Sequence, residues 1–169
     1  YTPPLNFNGP DFVDYTVTDG ALTDVGRLNI TVTPVNDAPV VVDDVITMPE
    51  DTPFASTVEL DANDTDVDGD ALSVVPGTFV TNAGGSITIA ANGSYSYTPP
   101  LNFNGADFVE YTVTDGALTD VGRLNITVAA ENDRPLAVDD AISIVEDTPF
   151  TAVAQLDANA IEADGDALT

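Results

Sequence analysis

Phe108-Val-Glu-Tyr-Thr-Val-Thr-Asp-Gly-Ala-Leu-Thr-Asp-Val-Gly-Arg-Leu-Asn-Ile-Thr-Val128 decides the fold class of this 169-residue chain. Val109, Tyr111 and Val113 alternate with polar neighbours, and so do Leu124, Ile126 and Val128. That period of two is the mark of strands buried on one face. Asp115, Gly116 and Asp120 read as turn formers between the runs. Ile87 and Ile89 alternate in the same way, and Asn92-Gly93 stands between Ser86–Ala90 and Ser94–Thr98 as a two-residue hairpin signal. Pro49, Pro53, Pro76, Pro99 and Pro100 punctuate the segments, and no stretch carries a helical period with caps. The spacing predicts strands at 40–48, 54–60, 71–75, 78–81, 85–90, 94–98 and 107–114, with an eighth candidate at 121–129; 78–81 is short enough to be a bend. The expected architecture is all-β, with two packed sheets.

The same text occurs twice. Tyr1-Thr-Pro-Pro-Leu-Asn-Phe-Asn-Gly9 returns 96 residues later as Tyr97 to Gly105, Asp19–Val32 returns as Asp115–Val128, and Glu50-Asp-Thr-Pro-Phe54 returns as Glu146 to Phe150. A period this long is one whole domain per repeat. Seven or so short strands in each period match an immunoglobulin-like β-sandwich, so tandem sandwich domains of about 96 residues are expected. Boundaries fall at the Asn-Asp-x-Pro steps, where proline stops strand periodicity. Residues 1–36 are then the C-terminal part of one copy, 37–132 a complete copy, and 133–169 the N-terminal part of the next. Tyr1-Thr2-Pro3-Pro4 reads as a cut inside a repeat, so the chain is expected to be a window on a longer array.

Charge is the second strong signal. There are 29 acidic residues against 3 basic ones, all arginine, for a formal charge of −26. Nucleic acid is excluded as a partner, because phosphate neutralisation needs many Lys and Arg. An anionic membrane surface is excluded by the same repulsion. No apolar run approaches the roughly 18–20 residues of a membrane span, and nothing resembles a signal peptide. With no His and no Cys, zinc sites, haem ligation and Ser–His or Cys nucleophiles drop out. What remains is carboxylate, the ligand of hard cations.

Strand order tells which carboxylates share an end of a sandwich. The loop after the first strand, Glu50-Asp51-Thr52-Pro53, lies at the end opposite to the loop Asp61–Asp70. Asp107 and the exit linker Asn132-Asp133 fall beside Glu50; Asp37, Asp66 and Asp68 gather at the other end. Asp64-Thr-Asp66-Val-Asp68-Gly-Asp70 places carboxylates at every second position around a glycine bend, as loops that wrap Ca²⁺ do. Two carboxylates about 5 Å apart repel by roughly 3 kcal/mol at an effective dielectric near 20, so such a group calls for a cation. Mg²⁺ fits less well, because it keeps its waters.

Asn36-Asp37-Ala38-Pro39, Val42-Asp43-Asp44, Glu50-Asp51-Thr52-Pro53, Asp61–Leu72, Tyr97-Thr98-Pro99, Phe103-Asn104-Gly105 and Tyr111-Thr-Val-Thr-Asp-Gly116 together resemble the bacterial cadherin-like repeats of large surface adhesins, often called tandem-95 repeats. The resemblance covers essentially the whole chain. It implies a Ca²⁺-rigidified extracellular stalk, with ions held between domains. Carried over residue by residue, it implies Glu50, Asn132, Asp133, Glu162 and Asp164 at the second junction, and Asn36, Asp37, Asp66 and Asp68 at the first. The third copy carries Ala160 and Glu162 where the second has Asp64 and Asp66, so either its site is weaker or Asp164 and Asp166 are the ligands that matter.

The leading functional expectation is a structural spacer of a cell-surface fibre, its partners being neighbouring repeats and, in a fibre, other copies by homotypic association. The alternative is a carbohydrate- or self-binding adhesion module, which the low aromatic content of 7% disfavours. An enzyme using a carboxylate pair is the third reading. No cleft-building insertion interrupts the repeat, so the expectation is that the chain is not an enzyme.

Overall fold

Along Gly105–Thr114 the side chains of Val109, Tyr111 and Val113 are buried, and along Thr119–Ala129 those of Leu124, Ile126 and Val128 are. The alternation thus produces two long strands with one apolar face. The computed structural model describes residues 1–149, 151, 156–164 and 167. In chain order its strands are β1 (Gly9–Thr18), β2 (Thr23–Val32), β3 (Asp44–Pro49), β4 (Phe54–Ala55), β5 (Ser73–Val74), β6 (Gly77–Val80), β7 (Ser86–Ile89), β8 (Tyr95–Thr98), β9 (Gly105–Thr114) and β10 (Thr119–Ala129). Among the described residues there is no helix.

β3 to β10 form a two-sheet sandwich, with strand orders β3-β10-β9-β5 and β4-β8-β7-β6. β3 runs parallel to β10, from Asp44 opposite Leu124 to Pro49 opposite Ala129, and the other pairings are antiparallel. Met48, Val74, Val109, Tyr111, Val113, Leu124, Ile126 and Val128 of one sheet meet Ile87, Ile89, Tyr95 and Tyr97 of the other, and Leu60 joins them from the loop after β4.

Eight strands form, and 78–81 is not a bend: β6 pairs with β7 over Gly77–Val80. The first strand is shorter than its β-branched run, beginning at Asp44 instead of residue 40. Carboxylates take the amides that a ladder would use: Asp120 Oδ2 accepts from Val41 N at 3.1 Å and Asp64 Oδ1 from Val42 N at 2.9 Å. The strand expected over 54–60 likewise ends at Ala55. Ser56 follows, and its hydroxyl accepts from Tyr95 N at 3.0 Å where a backbone carbonyl would continue the ladder.

The hairpin loop is Ala91-Asn92-Gly93, three residues long where two were expected. Gly93 N donates to Ala90 O, Ala90 N donates to Ser94 O, and Gly93 has φ +79°, the left-handed residue that closes a three-residue loop. A Cβ on Gly93 would also lie 2.5 Å from Asp61 Oδ1 and 2.9 Å from Leu60 N, so the glycine lets this loop press on the next one.

β1 and β2 repeat the register of β9 and β10, with Gly9 opposite Val32 as Gly105 is opposite Val128. The environment differs completely. Leu124 is 0% exposed and its equivalent Leu28 is 53% exposed, because no second sheet covers this hairpin among the described residues. Leu124→Ala should therefore cost about 2–5 kcal/mol by transfer and cavity formation. Leu28→Ala, the same change in the same local sequence, should stay within about 0.5 kcal/mol. Urea unfolding of the two variants checks the difference.

Candidate functional site

At the entry to the sandwich, the linker is tied to two loops. Asn36 Nδ2 donates to Asp115 Oδ2 at 2.8 Å, and Asp37 N donates to Asp68 Oδ2 at 2.7 Å. The loop holding Asp68 is shaped by Asp66, whose Oδ1 accepts from Asp68 N at 2.8 Å and Asp70 N at 3.3 Å. Such side chain-to-backbone bonds are what Asp provides in a tight turn. Carboxylate oxygens of Asp66, Asp68 and Asp70 lie within 4.8 Å of one another. Asp66 Oδ2 is buried with no hydrogen-bond partner among the described residues. The spacing read from the sequence thus brings Asp37, Asp66, Asp68 and Asp70 to one place.

At the exit the arrangement recurs. Asn132 Nδ2 donates to Asp133 O at 3.1 Å, as Asn36 does to Asp37 O, and Asp133 N donates to Asp164 Oδ2 at 2.6 Å. The bridge Leu136–Ile161 copies the bridge Val40–Thr65. Here the preceding domain adds its own acids. Glu50, at the end of β3, is 2% exposed; its Oε1 accepts from Glu131 N at 2.9 Å, and its Oε2 is buried with no partner among the described residues. Asp133 Oδ2 is in the same condition. Desolvation, then the negative charges of Asp164, Asp51, Glu50 and Glu162, push the Asp133 carboxyl above the usual carboxylate value. Asp51 has φ +54° and anchors one oxygen on Asn102 N at 2.8 Å. Glu50, Asp51, Glu162 and Asp164 thus all bear on the carboxylate of Asp133. Asp166 lies outside the described residues.

Two sequence-predicted residues are placed elsewhere. Asp107 is not in a loop beside Glu50: it is in β9, 3% exposed, and its carboxylate is filled by protein donors. Thr81 Oγ1 and Tyr97 OH (2.7 Å) donate to Oδ2, and Ala83 N (2.7 Å) and Phe108 N (2.7 Å) donate to Oδ1. It is a staple between the two sheets, with no capacity left for a cation. Asp64 parts from Asp66, Asp68 and Asp70 and joins a set that the sequence reading missed. Burial pushes its carboxyl up, partly offset by the Val42 amide, with Asp44, Asp61 and Asp120 adding to the rise. Asp44 in turn accepts from Tyr111 OH at 2.8 Å and Asn63 Nδ2 at 3.3 Å. The available signal was the Asp43-Asp44 pair standing at the end of an apolar run, where a strand core would exclude charge.

Arranged this way, the site can bind hard cations with oxygen ligands. The profile of the bacterial cadherin-like domain matches residues 36–130. No curated protein matches the chain significantly. Among solved structures, the endo-fucoidan hydrolases MfFcnA4 and MfFcnA9 of glycoside hydrolase family 107 are similar, at 19% and 16% identity with TM-scores of 0.41 and 0.37. The alignments cover 76% and 75% of this chain and 20% and 23% of theirs. A variant of the first aligns at 21% identity with a TM-score of 0.41. The chain thus spans about a fifth of the length of the structures it matches. The expectation that the chain is not an enzyme is corrected by this finding, since its solved neighbours are themselves hydrolases. Missing His and Cys describe these 169 residues alone, and a longer protein can carry its chemistry elsewhere. The likeness assigns no reaction and no catalytic residue.

The staple has a pH signature. Burial pushes the Asp107 carboxyl up, but the bonds from Thr81, Ala83, Tyr97 and Phe108 outweigh it and hold the group below its usual 3.8. Its stabilising contribution is therefore complete above that value and lost as pH falls through the lower folded value. Asp107→Asn should lower stability at neutral pH and flatten part of the loss on acidification. Urea midpoints between about pH 6 and pH 2 measure both effects.

Proposed function

This chain belongs to the bacterial cadherin-like domain family, and from that premise we propose that it is a calcium-rigidified structural repeat of an extracellular fibre or adhesin stalk. The family points to an adhesive or structural domain. Among the described residues no helix is long and apolar enough to cross a membrane. The observation that carries the reading is the second junction, where Glu50 Oε2 and Asp133 Oδ2 are buried without partners amid the charges of Asp51, Glu162 and Asp164. A buried carboxylate oxygen without a donor costs free energy, and a divalent cation is the partner that satisfies several at once.

In this reading the chain divides into 1–36, 37–132 and 133–169. Glu50, Asp51, Asn132, Asp133, Glu162, Asp164 and Asp166 would hold Ca²⁺ at the second junction. Asn36, Asp37, Asp66, Asp68 and Asp70 would do so at the first, completed by the preceding domain. The ion supplies charge neutralisation and a bond network that spans linker and both domains. At the Kd of extracellular modules, about 10⁻⁴–10⁻³ M, millimolar Ca²⁺ stabilises an assembled junction by roughly 0.4–1.4 kcal/mol per ion. Several ions per junction make a stiff rod; one makes a hinge.

Small-angle scattering of the chain in millimolar Ca²⁺ and after chelation tests this. The maximum dimension should shorten on chelation while the far-ultraviolet spectrum stays that of folded β-sheet. Glu50→Gln should mimic chelation at the second junction. A scattering profile indifferent to both changes would leave the acidity to solubility alone.

A further inference from the structure

The two linkers are not equivalent: Asn36-Asp37-Ala38-Pro39 becomes Asn132-Asp133-Arg134-Pro135. Arg134 puts a positive charge next in the chain to Asp133, whose carboxyl feels Asp164, Asp51, Glu50 and Glu162. The other two arginines have partners. Arg27 holds Asp14 through Nε and Nη2 at 2.7 and 3.0 Å and lies 3.9 Å from the Phe12 ring centre; Arg123 lies 3.4 Å from the Phe108 ring centre. Arg134 is exposed and makes no hydrogen bond or ion pair among the described residues. Neither packing nor a fixed pairing accounts for it.

Its position gives it something else to act on. Consecutive Cα atoms are about 3.8 Å apart, so Arg134 leaves the backbone directly beside Asp133, whose amide is 2.6 Å from Asp164 Oδ2. Asp133 also feels Asp51, Glu50 and Glu162. At the equivalent positions the first junction draws on Asp37, Asp66, Asp68 and Asp70, and the second on Asp133, Glu162, Asp164 and Asp166. The acids match one for one, and the difference between the linkers is one added guanidinium.

We propose that Arg134 is a resident counter-ion of the second junction, setting its affinity for divalent cation below that of an otherwise equal junction with Ala at this place. This rests on the calcium reading above. The guanidinium relieves repulsion among the carboxylates in the empty junction and opposes an arriving Ca²⁺. Two unit charges 4 Å apart in water interact by about 1 kcal/mol, a factor of about five; doubling one charge and the distance leaves that figure unchanged. Salt screening at physiological strength trims it, so a threefold to fivefold effect on the binding midpoint is expected.

The test is a Ca²⁺ titration of the whole chain followed by backbone amide shifts, Asp133 and Glu162 reporting the second junction and Asp37 and Asp68 the first. Arg134→Gln should lower the second midpoint threefold to fivefold and leave the first in place. Arg134→Lys should keep the wild-type midpoint, because charge is what acts. Ala38→Arg should raise the first midpoint by a similar factor. A Gln variant titrating like the wild type, or a Lys variant moving as far as Gln, overturns the role of Arg134 while the calcium reading stands. Amides of the wild type that do not move with Ca²⁺ overturn both.

Discussion

The structure depends on carboxylates binding backbone amides. Asp120 and Asp64 hold the Val41 and Val42 amides, Asp43 Oδ1 accepts from Arg123 N at 3.0 Å, and Asp68 holds the linker through Asp37 N. Glu50 and Asp51 do the same for Glu131 and Asn102. A hydrogen bond to an ionised acceptor is roughly twice as strong as a neutral one, so these contacts hold short loops and incomplete strands in place. Most of these bonds engage one oxygen of the carboxylate. At Glu50 and Asp66 the other oxygen is left buried and without a protein donor, so the residues that shape the domain ends also make those ends electrically costly.

How far the sequence could be read follows from this. Alternation in β9, β10 and β7 was legible because those strands owe their burial to period-two apolar residues, which leave a direct trace. So was the gathering of Asp37, Asp66 and Asp68, because strand order dictates which loops share an end. The start of β3 was not legible: residues 40–43 are as β-branched as the strand itself, and the acids that divert their amides come from far along the chain, at Asp64 and Asp120. Asp107 was misread for a related reason. In sequence it looks like one more exposed acid, and only the convergence of Thr81, Ala83 and Tyr97 from the facing sheet makes it a core residue.

The two hairpins separate local from tertiary causes. Asp19–Val32 and Asp115–Val128 are identical, and both adopt the same turn and register. Even the turn bonds repeat: Asp19 and Asp115 Oδ1 each accept from the amides two and three residues on. What differs is everything beyond the hairpin, and with it the burial of Val13 against Val109 and of Leu28 against Leu124. Local sequence sets the shape of the hairpin, while its burial comes from the facing sheet.

The parallel pairing of β3 with β10 bears on how such a domain carries tension. The chain enters the sandwich through β3 and leaves it through β10, and the two strands lie side by side over six residue pairs, pointing the same way. A pull along the chain drags the start of β3 and the end of β10 in opposite directions along their common axis. The ladder is thereby loaded in shear, so its hydrogen bonds share the force and must give way together. Antiparallel terminal strands would instead be peeled apart one bond at a time. Forced unfolding is governed by the barrier and not by the equilibrium stability, and a shear-loaded ladder raises that barrier even in a domain whose core is modest.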